Sequence, residues 1–89
     1  MRSIVTVIGK DTVGIIASVC AILAAEGVNI LDISQTVLQD YFTMIMIVDT
    51  AECRISFAEL SDKLRAEGEK KSLDIRIQRE DIFEAMHRI

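Results

Sequence analysis

The stretch from Gly9 to Ile15 reads Gly-Lys-Asp-Thr-Val-Gly-Ile, and its residue types suit the binding of a small anion. It lies between a β-branched run and a helical pattern, so we predict a strand-to-helix junction. Free amide groups at a helix N-terminus attract carboxylates, and glycines let a ligand approach the backbone closely. The same residues also suit a simple capped turn, in which Asp11 or Thr12 caps the helix. The residues alone leave both interpretations open.

The composition argues against catalysis and against metal binding. His87 is the single histidine, the two cysteines are isolated at Cys20 and Cys53, and the acidic residues are scattered singly. A zinc site needs several Cys or His ligands at fixed spacing, and a hard-cation site needs clustered carboxylates. An enzyme would require Lys10, Asp11 and His87 to converge. We therefore expect no enzyme, no metal and no cofactor.

The charge balance argues against two classes of partner, nucleic acids and anionic membranes. The chain carries 10 Lys+Arg against 14 Asp+Glu, a formal net charge of −4. Nucleic acids and anionic membranes both recruit clustered Lys and Arg, so neither is the expected partner. No apolar run approaches the roughly 18–20 residues that span a bilayer, and the N-terminus has no signal-peptide pattern. Together with two isolated, reduced thiols, these features favour a cytoplasmic protein.

The hydrophobic periodicity predicts one domain over residues 1–89 with the order strand, helix, strand, strand, helix, strand and a final short helix. Two split strand-helix-strand units form a four-stranded antiparallel sheet with helices on one face, which is the α+β ferredoxin-like βαββαβ sandwich. We expect an extra C-terminal helix after it. The predicted strands are Ser3–Gly9, Val28–Leu38, Tyr41–Val48 and Leu73–Gln78; the predicted helices are Gly14–Glu26, Ser56–Glu67 ending at Gly68, and Glu80–Ile89.

The first predicted helix carries no charge before Glu26. Its large residues fall on one arc, which we expect to pack on the sheet: Ile15, Ile16, Val19, Ile22 and Leu23. Its other arc holds small residues, where a surface helix usually carries Lys and Glu: Ala17, Ser18, Cys20, Ala21, Ala24 and Ala25. With 51% hydrophobic residues in 89, part of the apolar surface is expected to be hidden by a partner. The alternative for the small arc is a solvent face rich in alanine.

Two longer motifs carry a family resemblance. Gly9–Ala17, followed by Leu23–Gln35, resembles an ACT domain, and the predicted order of elements agrees. More narrowly, Asp32–Val37, Tyr41–Met44 and the ending Ile82–Met86 are similar to a group of small stand-alone bacterial and archaeal ACT proteins. That group is related to the regulatory half of the glycine-cleavage repressor. The resemblance covers essentially the whole chain.

The resemblance implies a regulatory module that binds a small molecule, usually an amino acid, and pairs into dimers. Ligands in that superfamily often lie at the interface between paired domains, between the first strand-helix loop and the start of the second strand. Amides near Gly14 suit a carboxylate, and Asn29 suits an α-amino or amide group, although Asn29 also suits a turn. The residues implied as ligand-binding are Asp11, Thr12, Val13, Gly14, Ile15, Asn29, Ile30 and Leu31.

Two functions follow as expectations. The first is a homodimeric sensor, joined through the first helix and the second strand, that binds an amino acid and acts on a protein partner. The second is a structural or protein-interaction module in which the same surfaces mediate assembly and the ligand site is vestigial.

Overall fold

The computed structural model describes residues 2–10 and 14–81, which form a four-stranded antiparallel sheet with two helices packed on one face. This is the predicted ferredoxin-like α+β fold. The predicted C-terminal helix falls mainly on residues 82–89, which lie outside the described residues. The elements are β1 (Arg2–Lys10), α1 (Ile15–Ala25), β2 (Asn29–Leu38), β3 (Tyr41–Asp49), α2 (Phe57–Lys70) and β4 (Leu73–Arg79).

The strand order is β2-β3-β1-β4, so β1 has a hydrogen-bonded neighbour on each side and β2 and β4 are the edges. Val5 of β1 faces Met46 of β3 and Ile77 of β4. A strand in this position lies between two others beneath the helices, which explains why β1 is a nearly continuous apolar run. The sequence predicts a central place for β1 and an edge place for β4, and the structure has both.

The core lies between the sheet and the helices. From α1 it takes Ile15, Val19 and Leu23, all buried, with Ile22 partly buried beside them. The expectation that Ile16 also packs on the sheet is wrong, because it lies at the flank of this buried arc and is 37% exposed. The sheet contributes alternate residues of its strands: Val5, Val7, Phe42, Met44, Met46, Val48, Leu73, Ile75 and Ile77.

A β-bulge near its start decides which face each residue of β2 occupies. Ile30 and Asp32 are paired with consecutive residues of β3, so Leu31 is the extra residue of the bulge. Because side chains alternate along a strand, one inserted residue reverses the faces of all that follow. The bulge therefore turns Asp32 away from the helices and places Ile33 and Val37 on the helix side.

The start of α2 is the predicted capping box. The Glu59 amide donates to Ser56 Oγ at 3.1 Å, and the Ser56 hydroxyl donates to Glu59 Oε1, also at 3.1 Å. Ser56 satisfies one of the amides that a helix N-terminus leaves without an intrahelical partner. Four residues were sufficient to predict the start of α2, because the hydrogen bonds of the capping box join residues three positions apart.

The predicted end of α2 at Gly68 is wrong, since the helix continues to Lys70. Gly68 is buried within the helix, and a Cβ there would lie 2.6 Å from the Leu73 carbonyl oxygen. The glycine therefore lets α2 approach β4 closely instead of ending the helix. The reversal of the chain falls at Ser72, which takes a positive φ of 59°.

We predict that Gly68→Ala destabilises the fold by about 1–3 kcal/mol, because the added methyl group forces α2 away from β4. Urea denaturation followed by circular dichroism measures this loss. The matched control is Glu69→Ala, an exposed neighbour on the same helix, which should change stability by no more than about 0.5 kcal/mol. A Gly68→Ala protein as stable as the wild type would contradict the close approach.

Candidate functional site

At the strand-to-helix junction, Gly14 lies at the N-terminal end of α1. Gly14 is the N-cap of α1, in the left-handed conformation with φ 86°, and its carbonyl oxygen accepts from the Ser18 amide at 2.9 Å. Asp11, Thr12 and Val13 lie outside the described residues. Within α1 itself, the first turn carries no acidic side chain that would compete with an anion for the free amides. Ile15, the next predicted site residue, is buried in the core.

The other predicted site residues begin β2. Asn29 is exposed and is paired with Asp49 of β3, Ile30 is half-buried, and Leu31 is exposed in the bulge. Of these three, Asn29 lines a cleft of about 580 Å³ between the end of α1 and the loop after β3. The cleft is lined by Ala24, Gly27, Val28, Asn29, Asp49, Ala51 and Glu52.

Asp49 gives this end of the molecule a negative charge. Its Oδ1 accepts from the Ala51 amide at 2.9 Å. This hydrogen bond lowers the pKa of the Asp49 carboxyl below its usual value, and the nearby charge of Arg2 acts in the same direction. The group therefore stays ionised to lower pH than a free aspartate, which suits a site that accepts an ammonium group.

The two predicted halves of the site lie at opposite ends of α1. The Val28 amide donates to the Leu23 carbonyl oxygen at 2.9 Å, so β2 starts at the C-terminal end of the helix. Gly14 lies at the N-terminal end, and eleven helical residues separate the two, a length of about 16 Å. A molecule the size of an amino acid cannot span that distance. Within one chain, the structure does not bring Gly14 and Asn29 together.

Exposed apolar side chains lie on α1 and β2, the two elements through which the sequence predicts pairing. Ile33 and Val37 point to the helix side of β2 but are 40% and 54% exposed, because the two helices leave this edge strand largely uncovered. Ile16 and Ala21 on α1 are exposed as well. We call these four residues the α1–β2 surface. The exposure of Ile33 and Val37 follows from the bulge and from the position of β2 at the edge of the sheet.

The described ranges, 2–10 and 14–81, contain no group of three or more His, Cys, Asp or Glu side chains placed to hold a metal ion. Nor does any helix in those ranges have the length and apolar character needed to cross a membrane. The polar groups of the candidate site are thus backbone amides, one side-chain amide and isolated carboxylates. Such groups bind and orient a small zwitterion by hydrogen bonds and charge.

The fold is a ferredoxin-like βαββαβ sandwich with a glycine at the first strand-helix junction. The model of the ACT domain family matches residues 2–78, and the chain belongs to that family. It is 54% identical over 88 residues to a UPF0237 protein of Neisseria meningitidis, covering 99% of this chain and 98% of that one.

Two solved structures agree. An ACT domain protein from Streptococcus pneumoniae is 46% identical, has a TM-score of 0.82 and is matched over 98% of both chains. A protein assigned as a glycine cleavage system transcriptional repressor shares the fold at 20% identity and a TM-score of 0.73. That match covers 86% of this chain and 44% of the repressor. The resemblance drawn from the sequence is therefore confirmed.

We predict that Gly14→Ala costs about 1 kcal/mol of stability through its backbone alone, because L-residues resist the left-handed region. A Cβ at Gly14 would meet no atom within 4 Å, so a steric clash adds nothing. Gly14→Asn is the control, since asparagine tolerates this conformation and should cost less. Urea denaturation ranks the three proteins. Equal stabilities for the alanine variant and the wild type would contradict a left-handed Gly14.

Proposed function

We propose that this protein is a non-catalytic cytoplasmic regulatory module that binds an amino acid as a homodimer and passes the signal to a protein partner. One observation carries the proposal: the two segments implied as ligand-binding lie at opposite ends of α1. They form a single site only if the second segment comes from another copy of the chain. In this proposal, ligand binding therefore requires dimerisation.

The edge position of β2 suggests how a second copy supplies the missing segment. At its far end β2 reaches the junction, because Leu38 is paired with Tyr41, and Tyr41 with Lys10 at the end of β1. If two β2 edges pair antiparallel about a two-fold axis, the start of one strand lies beside the end of the other. Asn29 of the second copy then approaches Gly14 of the first. Two equivalent sites result, one at each end of the pair.

The α1–β2 surface supplies a reason for the two chains to associate. Its large members, Ile16, Ile33 and Val37, are exposed in one chain, and Ile33 and Val37 lie on the edge strand β2. An exposed apolar edge strand is a template for pairing with another chain. Small side chains such as Ala21 allow a second backbone to come close. This favours the partner interpretation of the small arc of α1.

The site chemistry supports an α-amino acid as ligand. The amides of the first turn of α1 would hold its carboxylate. Asn29 of the second copy would hydrogen-bond its amino group. Asp49, paired with Asn29 and fully ionised at neutral pH, favours an ammonium nearby.

An assembly module with a vestigial ligand site is the second candidate. It is favoured by one observation, the apolar character of the α1–β2 surface, which accounts for pairing without any ligand. Both candidates predict a dimer. They differ in whether calorimetry detects the binding of an amino acid.

We predict that Ala21→Glu converts the dimer to a monomer, because it places a charge where the second copy packs. Sedimentation equilibrium should give twice the 9.9 kDa chain mass for the wild type and the single mass for the variant. The control is Ala66→Glu, the same change at an exposed position of α2, which should leave the dimer intact. An Ala21→Glu protein of unchanged mass would place the interface elsewhere.

Titration calorimetry against the twenty amino acids should give heat for at least one, with one ligand bound per chain. Gly14→Val should abolish that heat by distorting the junction, and Ala21→Glu should abolish it by separating the two halves of the site. Ala66→Glu is again expected to behave as wild type. If none of the twenty gives heat while the wild type is dimeric, the sensing function is wrong and the assembly module stands.

A further inference from the structure

The outer edge of β4 is the second edge of the sheet, on the side opposite β2. β4 pairs with β1, and among residues 2–10 and 14–81 no strand pairs with its outer side. A groove of about 750 Å³ runs along β4 beside α2, whose Ser61, Arg65 and Glu69 line it. The edge of a sheet presents backbone amide and carbonyl groups with which another strand can pair.

Two opposite charges alternate with buried apolar residues along this edge strand. Leu73, Ile75 and Ile77 are buried in the core. Between them, Asp74 and Arg76 point to the other face, and their side chains are 52% and 73% exposed. Arg76 Nε lies 3.0 Å from Asp74 Oδ1. Because both side chains are exposed, this ion pair contributes little stability, and both charges are accessible to a second strand.

We propose that β4 pairs antiparallel with β4 of a second copy of this chain, about a two-fold axis at Ile75. In this register, Asp74 of each copy lies opposite Arg76 of the other, which gives two pairs of opposite charge. Leu73 of each copy lies opposite Ile77 of the other. Opposite charges that face each other across an antiparallel pair stabilise it, and like charges destabilise it.

The charges favour this register over its two nearest alternatives. A two-fold axis at Asp74 would place the two Asp74 carboxylates opposite each other, and an axis at Arg76 would oppose the two guanidinium groups. Charges on an edge strand generally oppose pairing, and here they leave one of these three arrangements. β4 has only seven residues, so the buried area is small and we expect weak association, at millimolar chain concentrations.

The helix beside this edge carries a matching pair of charges. Gly68 of α2 lies against Ile75, since a Cβ at Gly68 would be 3.2 Å from Ile75 Cγ1. An axis at Ile75 therefore passes beside this part of α2 and sets the two α2 helices antiparallel. Arg65 and Glu69 lie on either side of Gly68 in the sequence and line the groove. Arg65 of one copy then lies on the same side as Glu69 of the other.

Pairing through β4 leaves the β2 edge free, because the two edges lie on opposite sides of the sheet. The inference therefore does not depend on the proposed function. If the proposed dimer forms through β2, pairing through β4 joins such dimers at higher concentration. If it does not form, pairing through β4 alone produces a dimer.

Charge reversal tests the pairing, with static light scattering as the measure of average mass. The mass of the wild type should rise between micromolar and millimolar concentration. Arg76→Asp and Asp74→Arg should each abolish this rise, because each leaves only like charges opposite one another. The double variant with both changes should restore it. The control is Lys70→Asp, at an exposed position of α2 that does not line the groove, which should behave as wild type.

Mixing the two single variants gives a result that a loss of folding cannot imitate. The Arg76→Asp chain has two acidic residues at the paired positions, and the Asp74→Arg chain has two basic residues. The mixture should therefore associate at millimolar concentration, although neither variant does so alone. Association of the mixture and rescue by the double variant support the proposal. A wild-type mass that does not rise, single variants that associate like the wild type, or a mixture that does not associate would overturn it.

Discussion

The central position of β1 is the constraint on which the other features depend. Val5 and Val7 of this strand are fully buried, and its two edges are taken by β3 and β4. β2 pairs with β3, and among the described residues no strand pairs with its other edge. The helices pack over the buried middle of the sheet and leave the helix side of β2 exposed. The α1–β2 surface is thus a consequence of the topology as much as of its own residues.

The same topology explains why the proposed ligand site calls for two chains. The helix that links β1 to β2 also separates the junction at Gly14 from Asn29 by its own length. A longer loop would leave that separation unchanged, since α1 packs against the core through Ile15, Val19 and Leu23. An antiparallel pair of β2 edges removes it by symmetry. In the proposed dimer, ligand binding would then report the state of assembly.

Features with local causes could be predicted from the sequence. The capping box of Ser56 and Glu59 and the left-handed Gly27 after α1 could be predicted from neighbouring residues, and both are present. The alternation of β4 predicted its edge position because one side of it faces solvent. Gly68 shows the limit: its backbone suits a helix end, but a contact with Leu73 keeps it inside α2. That contact joins two elements, and no local pattern reveals it.

By itself the sequence determined the six elements of the βαββαβ fold and the family, and it predicted residues suited to a ligand, because periodicity, caps and motifs depend on neighbouring residues. The tertiary structure decided the bulge at Leu31, the exposure of Ile33 and Val37, and the distance between Gly14 and Asn29. Each of these depends on which strands lie side by side and on how far one helix reaches. Pairing between strands distant in sequence sets those distances, and for this reason the case for a second copy rests on the fold.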